Sequence, residues 1–289
     1  MRADAPARVD SVALPGGGAL DLRAPRVMGI LNVTPDSFSD GGRHFELSDA
    51  LAGARAMAAA GAAILDVGGE STRPGAEPVP AAEERRRVVP LVEALAELDL
   101  PISIDTRKAE VAGAALRAGA ALVNDVTGLA DPDMAAVTAE HGAALCVGHI
   151  QGEPATMQRD PRYDDVVSAV YESLARACER AVAAGVASEA LLVDPGIGFG
   201  KRLEHNLALL ANLERFRSLA PVVIGVSRKR MLSELLEGRP VEGRLAGGLG
   251  AALAAVRNGA RVVRTHDVGE TVDALRVAWA IERAAGGAP

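Results

Sequence analysis

Aromatic side chains are scarce in this 289-residue chain: one Trp, two Tyr and four Phe, or 2%. Its core must therefore be built from aliphatic residues, which supply most of the 49% hydrophobic fraction and suit strands covered on both faces. Cysteine is nearly absent as well. Cys146 and Cys178 have neither metal-type spacing nor a framework of pairs, so two buried, inert thiols are expected, one in a strand and one in a helix. No uncharged run is long enough to span a bilayer, and Met1 to Asp10 alternates charged and small residues without the apolar run of a secretory signal. The chain thus reads as soluble and cytoplasmic. Basic residues are outnumbered, 31 Lys and Arg against 38 Asp and Glu for a net charge of -7, which excludes a broad nucleic-acid-binding face. An anionic ligand would need a small local cluster of cations.

What is present is a degenerate repeat. Gly61-Ala-Ala-Ile-Leu-Asp66, Gly119-Ala-Ala-Leu-Val-Asn124, Gly142-Ala-Ala-Leu-Cys-Val-Gly-His149 and Gly259-Ala-Arg-Val-Val-Arg264 each read as a helix end, a left-handed glycine turn and a buried strand that closes on a polar residue. Extending the pattern predicts strands at Val27 to Asn32, Ala63 to Val67, Ile102 to Asp105, Leu122 to Asp125, Ala144 to His149, Leu191 to Asp194, Val222 to Val226 and Arg261 to Arg264. Helical patterns between and after them include Ser48 to Ala60, Ala81 to Leu98, Asp164 to Ala184, Glu204 to Leu213 and Glu270 to Ala285. Eight alternating units favour a single closed (β/α)8 TIM barrel over an open sheet, and about 250 residues is the usual size of one. Val9 to Leu22, with Pro15-Gly-Gly-Gly18 between two short alternating runs, predicts a β-hairpin capping the N-terminal end. The expected organisation is a flexible stretch over 1–8 and one barrel over 9–289.

In such a barrel the site lies at the C-terminal strand ends. Asn32, Asp66, Asp105, Asn124, Asp125, His149, Asp194, Ser227, Lys229, Arg264 and His266 all fall there. One such residue alone would usually cap a helix or anchor a loop. Eight strands that all end this way, some on carboxylates or carboxamides and others on cations, predict a ligand with a polar heterocyclic edge and a separate anionic part.

These residues sit in seven ordered motifs: Val27-Met-Gly-Ile-Leu-Asn-Val-Thr-Pro-Asp-Ser-Phe-Ser-Asp-Gly-Gly42, Gly68-Gly-Glu-Ser-Thr-Arg-Pro-Gly75, Ile104-Asp-Thr-Arg-Lys108, Asn124-Asp-Val126, Asp194-Pro-Gly-Ile-Gly-Phe-Gly-Lys201, Ser227-Arg-Lys229 and Arg264-Thr-His-Asp267. Together they resemble the dihydropteroate synthase family, from about Val27 to the final helix. Each motif alone is weak evidence, but seven in order, each at a predicted strand end, are not a chance match.

The resemblance implies condensation of a pterin methyl diphosphate with 4-aminobenzoate. It places the pterin on Asp105, Asn124, Asp194 and Lys229, and the pyrophosphate on Asn32, Arg264 and His266, with Asn32 also a ligand of Mg²⁺. Hard oxygen donors and phosphate oxygens are what that ion prefers. Lys229, Asp105, Arg264 and His266 are then the catalytic set. Asp36, Phe38, Thr72, Arg73, Pro74, Phe199 and Ser227 are expected to shape the aminobenzoate site, several of them in two Gly- and Pro-rich loops, Thr34 to Phe45 and Gly68 to Pro80, that read as mobile lids. Sulfonamides, which mimic the arylamine, should compete there. A homodimer through the last helices is the family expectation. One stretch departs from the pattern: relatives carry Met-His where this chain has Gly148-His149-Ile150, which predicts room beneath the pterin, filled by a neighbour or left as a deeper pocket. A pterin-dependent methyltransferase domain and a noncatalytic pterin-binding paralogue are the rival readings. The Ser-Thr-Arg-Pro and Ser-Arg-Lys motifs oppose the first and the complete anion set opposes the second.

Overall fold

The first short alternating runs pair as an antiparallel hairpin, β1 (Ser11–Ala13) with β2 (Ala19–Asp21), joined by a 3-10 turn at Pro15–Gly17. The hairpin buries Val12 and Leu20 and packs on Ser188–Ala190, just ahead of a barrel strand, so it covers the N-terminal end as expected. Arg26, at the start of the first barrel strand, donates its Nε to the Asp21 carbonyl at 2.6 Å and ties the cap to the barrel. The computed structural model describes residues 10–33, 42–71 and 75–285, with the backbone alone over 42–46.

The aliphatic runs form eight parallel strands: β3 (Arg26–Asn32), β4 (Ile64–Gly68), β5 (Ile102–Asp105), β6 (Leu122–Asp125), β7 (Ala144–Gly148), β8 (Leu191–Asp194), β9 (Val222–Gly225) and β10 (Ala260–Thr265). They are hydrogen-bonded in the order β10-β3-β4-β5-β6-β7-β8-β9 and close on themselves. Nearly every position in them is buried, since the barrel interior covers one face and helices cover the other. The helices are α1 (Gly42–Ala59), α2 (Ala81–Leu95), α3 (Ala109–Arg117), α4 (Met134–Glu140), α5 (Val166–Ala183), α6 (Leu203–Ala211), α7 (Arg230–Leu235), α8 (Leu245–Arg257) and α9 (Val268–Ala284). Their inner stripes, such as Val88, Leu91 and Leu95 on α2 and Val170, Leu174 and Ala177 on α5, meet the outward strand residues in one aliphatic core. Cys146 and Cys178 are buried in β7 and α5, and burial pushes both thiols up, Cys178 to about 11. Among the described residues no helix is long and apolar enough to cross a membrane.

Period-two alternation positions the site. On β5, Asp105 and Ser103 share one face while Ile102 and Ile104 take the other. The register sets Asp66 beside Ser103 and Asn124 beside Asp105 on neighbouring strands, and Asn124 reaches across to hydrogen-bond Asp66.

Candidate active site

Arg264 on β10 organises the floor. Its Nε donates to Asp66 Oδ2 and its Nη2 to Asp105 Oδ2, both at 2.6 Å. Asn124 Nδ2 donates to the same Asp66 oxygen at 3.1 Å. Burial alone would depress Arg264, but the two carboxylates outweigh it and hold it above its ordinary value. Burial pushes Asp105 up to about 7, with Arg264 opposing and the charges of Asp66, Glu84 and Asp125 reinforcing. Asp66 Oδ1 and Asp105 Oδ1 are buried with no hydrogen-bond partner among the described residues, which leaves two acceptors for a bound donor.

Across the mouth, Asp194 ends β8 and accepts from Gly196 N at 2.8 Å. Burial raises its carboxyl, against the pull of Lys229. Lys229 follows β9; its Nζ lies 4.6 Å above the Phe199 ring and donates to the Ile197 carbonyl. Burial lowers it to about 8, with Asp194 opposing and Arg264 assisting. Ser227 Oγ meets His266 Nδ1 at 3.0 Å, and Asn32 closes β3 at the rim. A cleft of about 970 Å³ opens above, lined by Asn32, Asp105, Phe199, Ser227, Lys229, Arg264 and His266 among others. Asn124 and Asp194 are almost fully buried and do not line the cleft itself: Asn124 is bonded to Asp66, and Asp194 lies within electrostatic reach of Lys229.

The sequence-predicted residues that fall within the described regions thus converge on one mouth. Asp36, Phe38, Thr72, Arg73 and Pro74 lie outside the described residues. Sequence reasoning missed two features. Asp66 was visible as a strand end but had no role; the structure makes it the shared partner of Arg264 and Asn124. Lys201 was visible as the last residue of a motif; it is 3% exposed, and its Nζ meets His149 Nδ1 and the Phe199 carbonyl at 3.0 Å each. Burial lowers Lys201 to about 7, and burial together with the Lys201 charge lowers His149 to about 3, so the imidazole is neutral. When Lys201 carries its proton it can only donate, which puts the His149 ring proton on Nε2.

The comparisons with known proteins agree with this geometry. A family model described as pterin binding enzyme matches residues 28–266. The dihydropteroate synthase of Escherichia coli K12 is 50% identical over 263 residues, 90% of this chain and 93% of that protein. The Yersinia pestis dihydropteroate synthase, solved with a sulfonamide drug complex, superposes with a TM-score of 0.87 at 47% identity, over 93% of this chain and 98% of that one. The Burkholderia cenocepacia enzyme, solved with 7,8-dihydropteroate, gives 0.86 at 46% identity, over 96% and 98%. The chain belongs to the dihydropteroate synthase family.

At Gly148, where the sequence led us to expect a departure from the family pattern, the backbone is closely packed. A Cβ on Gly148 would stand 2.6 Å from the Val126 Cα and 2.9 Å from the Asp125 carbonyl oxygen. The backbone after β6 closes directly on Gly148 and leaves no room for a side chain there. Glu70 accepts from Arg107, Lys108 and the Val79 amide, and Glu84 accepts from Thr106 Oγ1 at 2.7 Å and from Lys108.

Proposed function

We propose that the chain joins 6-hydroxymethyl-7,8-dihydropterin diphosphate to 4-aminobenzoate, giving 7,8-dihydropteroate and pyrophosphate. The observation that carries this reading is the convergence of Asp66, Asp105, Asn124, Asp194, Lys229 and Arg264, from six different strands or their ends, on one polar floor. A carboxylate such as Asp194 can accept from both the ring N–H and the exocyclic amine of a 2-aminopyrimidinone. Lys229 suits the carbonyl edge of the same ring. Asp105 then stands near the pterin as positive charge develops, where a carboxylate stabilises the transition state more than the neutral ground state.

The bond broken joins the pterin methylene carbon to the diphosphate oxygen, which leaves with the electron pair. The arylamine nitrogen forms the new bond to that carbon and loses a proton to solvent or to released pyrophosphate. Delocalisation over the pterin lets departure run ahead of attack, so no strong base is required. Arg264, His266 and Asn32 line the rim where the diphosphate charge collects, and only two of the five Arg264 N–H groups are used on carboxylates. Phe199 and Ser227 form part of the arylamine wall.

Mg²⁺ fits this rim in the sparse manner usual for the ion. Among the described residues no group of three His, Cys, Asp or Glu could hold a metal, while Asn32 offers one hard oxygen beside the diphosphate. When bound, the ion would neutralise charge on the leaving group. A homodimer is part of the same proposal, supported by Val277 and Ile281, exposed on the outer face of α9.

Two substitutions separate binding from turnover. Asp194→Asn should weaken pterin binding by about 1 to 3 kcal/mol, since its amide mispairs one donor, and Lys229→Ala should lower kcat on the order of 10²-fold. Unchanged pterin affinity in folded Asp194→Asn, read by calorimetry, would remove the pterin assignment.

A further inference from the structure

Four consecutive carbonyls in the turn after β8 are each claimed by a side chain. Lys229 Nζ donates to Ile197, Gln158 Nε2 to Gly198 at 2.6 Å, Lys201 Nζ to Phe199 at 3.0 Å, and the Tyr163 hydroxyl to Gly200 at 3.1 Å. Two turn amides are held as well: Gly196 N donates to Asp194 Oδ1 at 2.8 Å and Gly198 N to Asn206 Oδ1 at 2.7 Å. Gly196, Gly198 and Gly200 adopt φ of +71°, +83° and +64°, and a Cβ on Gly196 or Gly200 would overlap the carbonyl oxygen of His149 or Gln151. A connecting turn at a barrel mouth can leave its carbonyls to water. Here the turn is pressed against the end of β7 and bonded to it.

The anchors have a direction. Gln158 and Tyr163 come from the connection between β7 and α5, and Lys201 reaches back from the turn to the His149 carbonyl at 3.3 Å and ring nitrogen at 3.0 Å. The same turn carries the Phe199 ring, which supports the Lys229 ammonium, and that ammonium also leans on Ile197, so Gln158 and Lys201 border the same cleft as the groups they steady. Lys201 is an expensive choice for packing alone, because a buried amine forfeits hydration that a methionine of similar shape would not need. Its position is accounted for by the carbonyls it orients.

We propose that Lys201, Gln158 and Tyr163 are positioning residues for the condensation: by fixing the carbonyls of Phe199, Gly198 and Gly200 they hold the Phe199 ring, and through it the Lys229 ammonium, where the arylamine approaches. This rests on the function proposed above. None of the three needs to touch the reacting atoms. Asp194 keeps its own local bond to Gly196, so pterin binding is separable from the anchors.

The test compares the parent chain with Lys201→Met, Lys201→Ala, Gln158→Leu and Tyr163→Phe. Calorimetry gives pterin affinity, pyrophosphate release gives kcat and the Michaelis constant of the arylamine substrate, and thermal melting reports on the fold. Each folded variant should keep pterin affinity within about threefold while the arylamine kcat/KM falls about tenfold or more, as expected for reacting groups displaced by a fraction of an ångström. Added ethylamine should restore part of the loss in Lys201→Ala but not in Gln158→Leu. A merely structural role would lower the melting temperature and leave both kinetic constants at parent values, and that result overturns the proposal. Should Lys201→Met not fold, the half-buried Gln158 decides the matter through Gln158→Leu. A parent that releases no pyrophosphate overturns the underlying function. An active parent matched by Gln158→Leu overturns the positioning role alone.

Discussion

Arg264 and Asp105, 159 residues apart in sequence, meet at 2.6 Å across the barrel mouth, with Asp66 on the same guanidinium. The guanidinium side chain is 20% exposed and the two carboxylates 0% and 7%, so removing the cation strips two buried carboxyl groups of the partner they share. Arg264→Met should cost about 3 to 5 kcal/mol of stability, as for other broken buried pairs. Adding Asp66→Asn and Asp105→Asn to the same chain should recover part of it. Urea unfolding of the three chains checks this, and an Arg264→Met protein as stable as the parent would show that the triad carries no structural weight.

The pH profile follows from two displaced groups. Asp105, pushed up to about 7, becomes protonated and loses its charge as pH falls through that value. Lys229, lowered to about 8, loses its proton as pH rises through that value. If both must be charged, kcat/KM is greatest between about pH 7 and 8 and falls on either side. Lys229→Arg should abolish the alkaline fall, since a guanidinium does not titrate there. A profile flat from about pH 6 to 9 in the parent contradicts both assignments.

How much of this was legible in the sequence varies with the range of the interaction concerned. Strands such as Ile102–Asp105, Leu122–Asp125 and Leu191–Asp194 have the expected bounds, because an aliphatic run closed by a polar residue is a local signal. Helix ends were less visible: α1 begins at Gly42 rather than near Ser48, and α2 stops at Leu95, three residues short of the expected end. The barrel-mouth residues were recognisable as a set, but their pairing was not. Asp267, close to Arg264 in sequence, pairs with Arg228 at 2.7 Å, while Arg264 reaches Asp66, which lies 198 positions away. Only closure of the sheet brings β10 within reach of β4 and β5, and that register has no local trace. Lys201 carried a signal that could have been weighed, namely a lysine closing a Gly-rich turn with no predicted anion beside it.

Gly148 gives the clearest local test of the packing beneath the barrel mouth. Gly148→Ala should destabilise the chain by about 1 to 3 kcal/mol, because its methyl group would meet the Val126 backbone rather than an adjustable side chain. Denaturant titration reads the change. A neutral or stabilising effect would mean that the space beneath the pterin is open after all.

The central claim is a substitution at the pterin methylene carbon that needs both substrates. Purified protein with Mg²⁺ and 6-hydroxymethyl-7,8-dihydropterin diphosphate should release pyrophosphate rapidly only when 4-aminobenzoate is added, with one 7,8-dihydropteroate formed per pyrophosphate by mass spectrometry. Pyrophosphate release that ignores 4-aminobenzoate, or none in the presence of both substrates, would contradict the account.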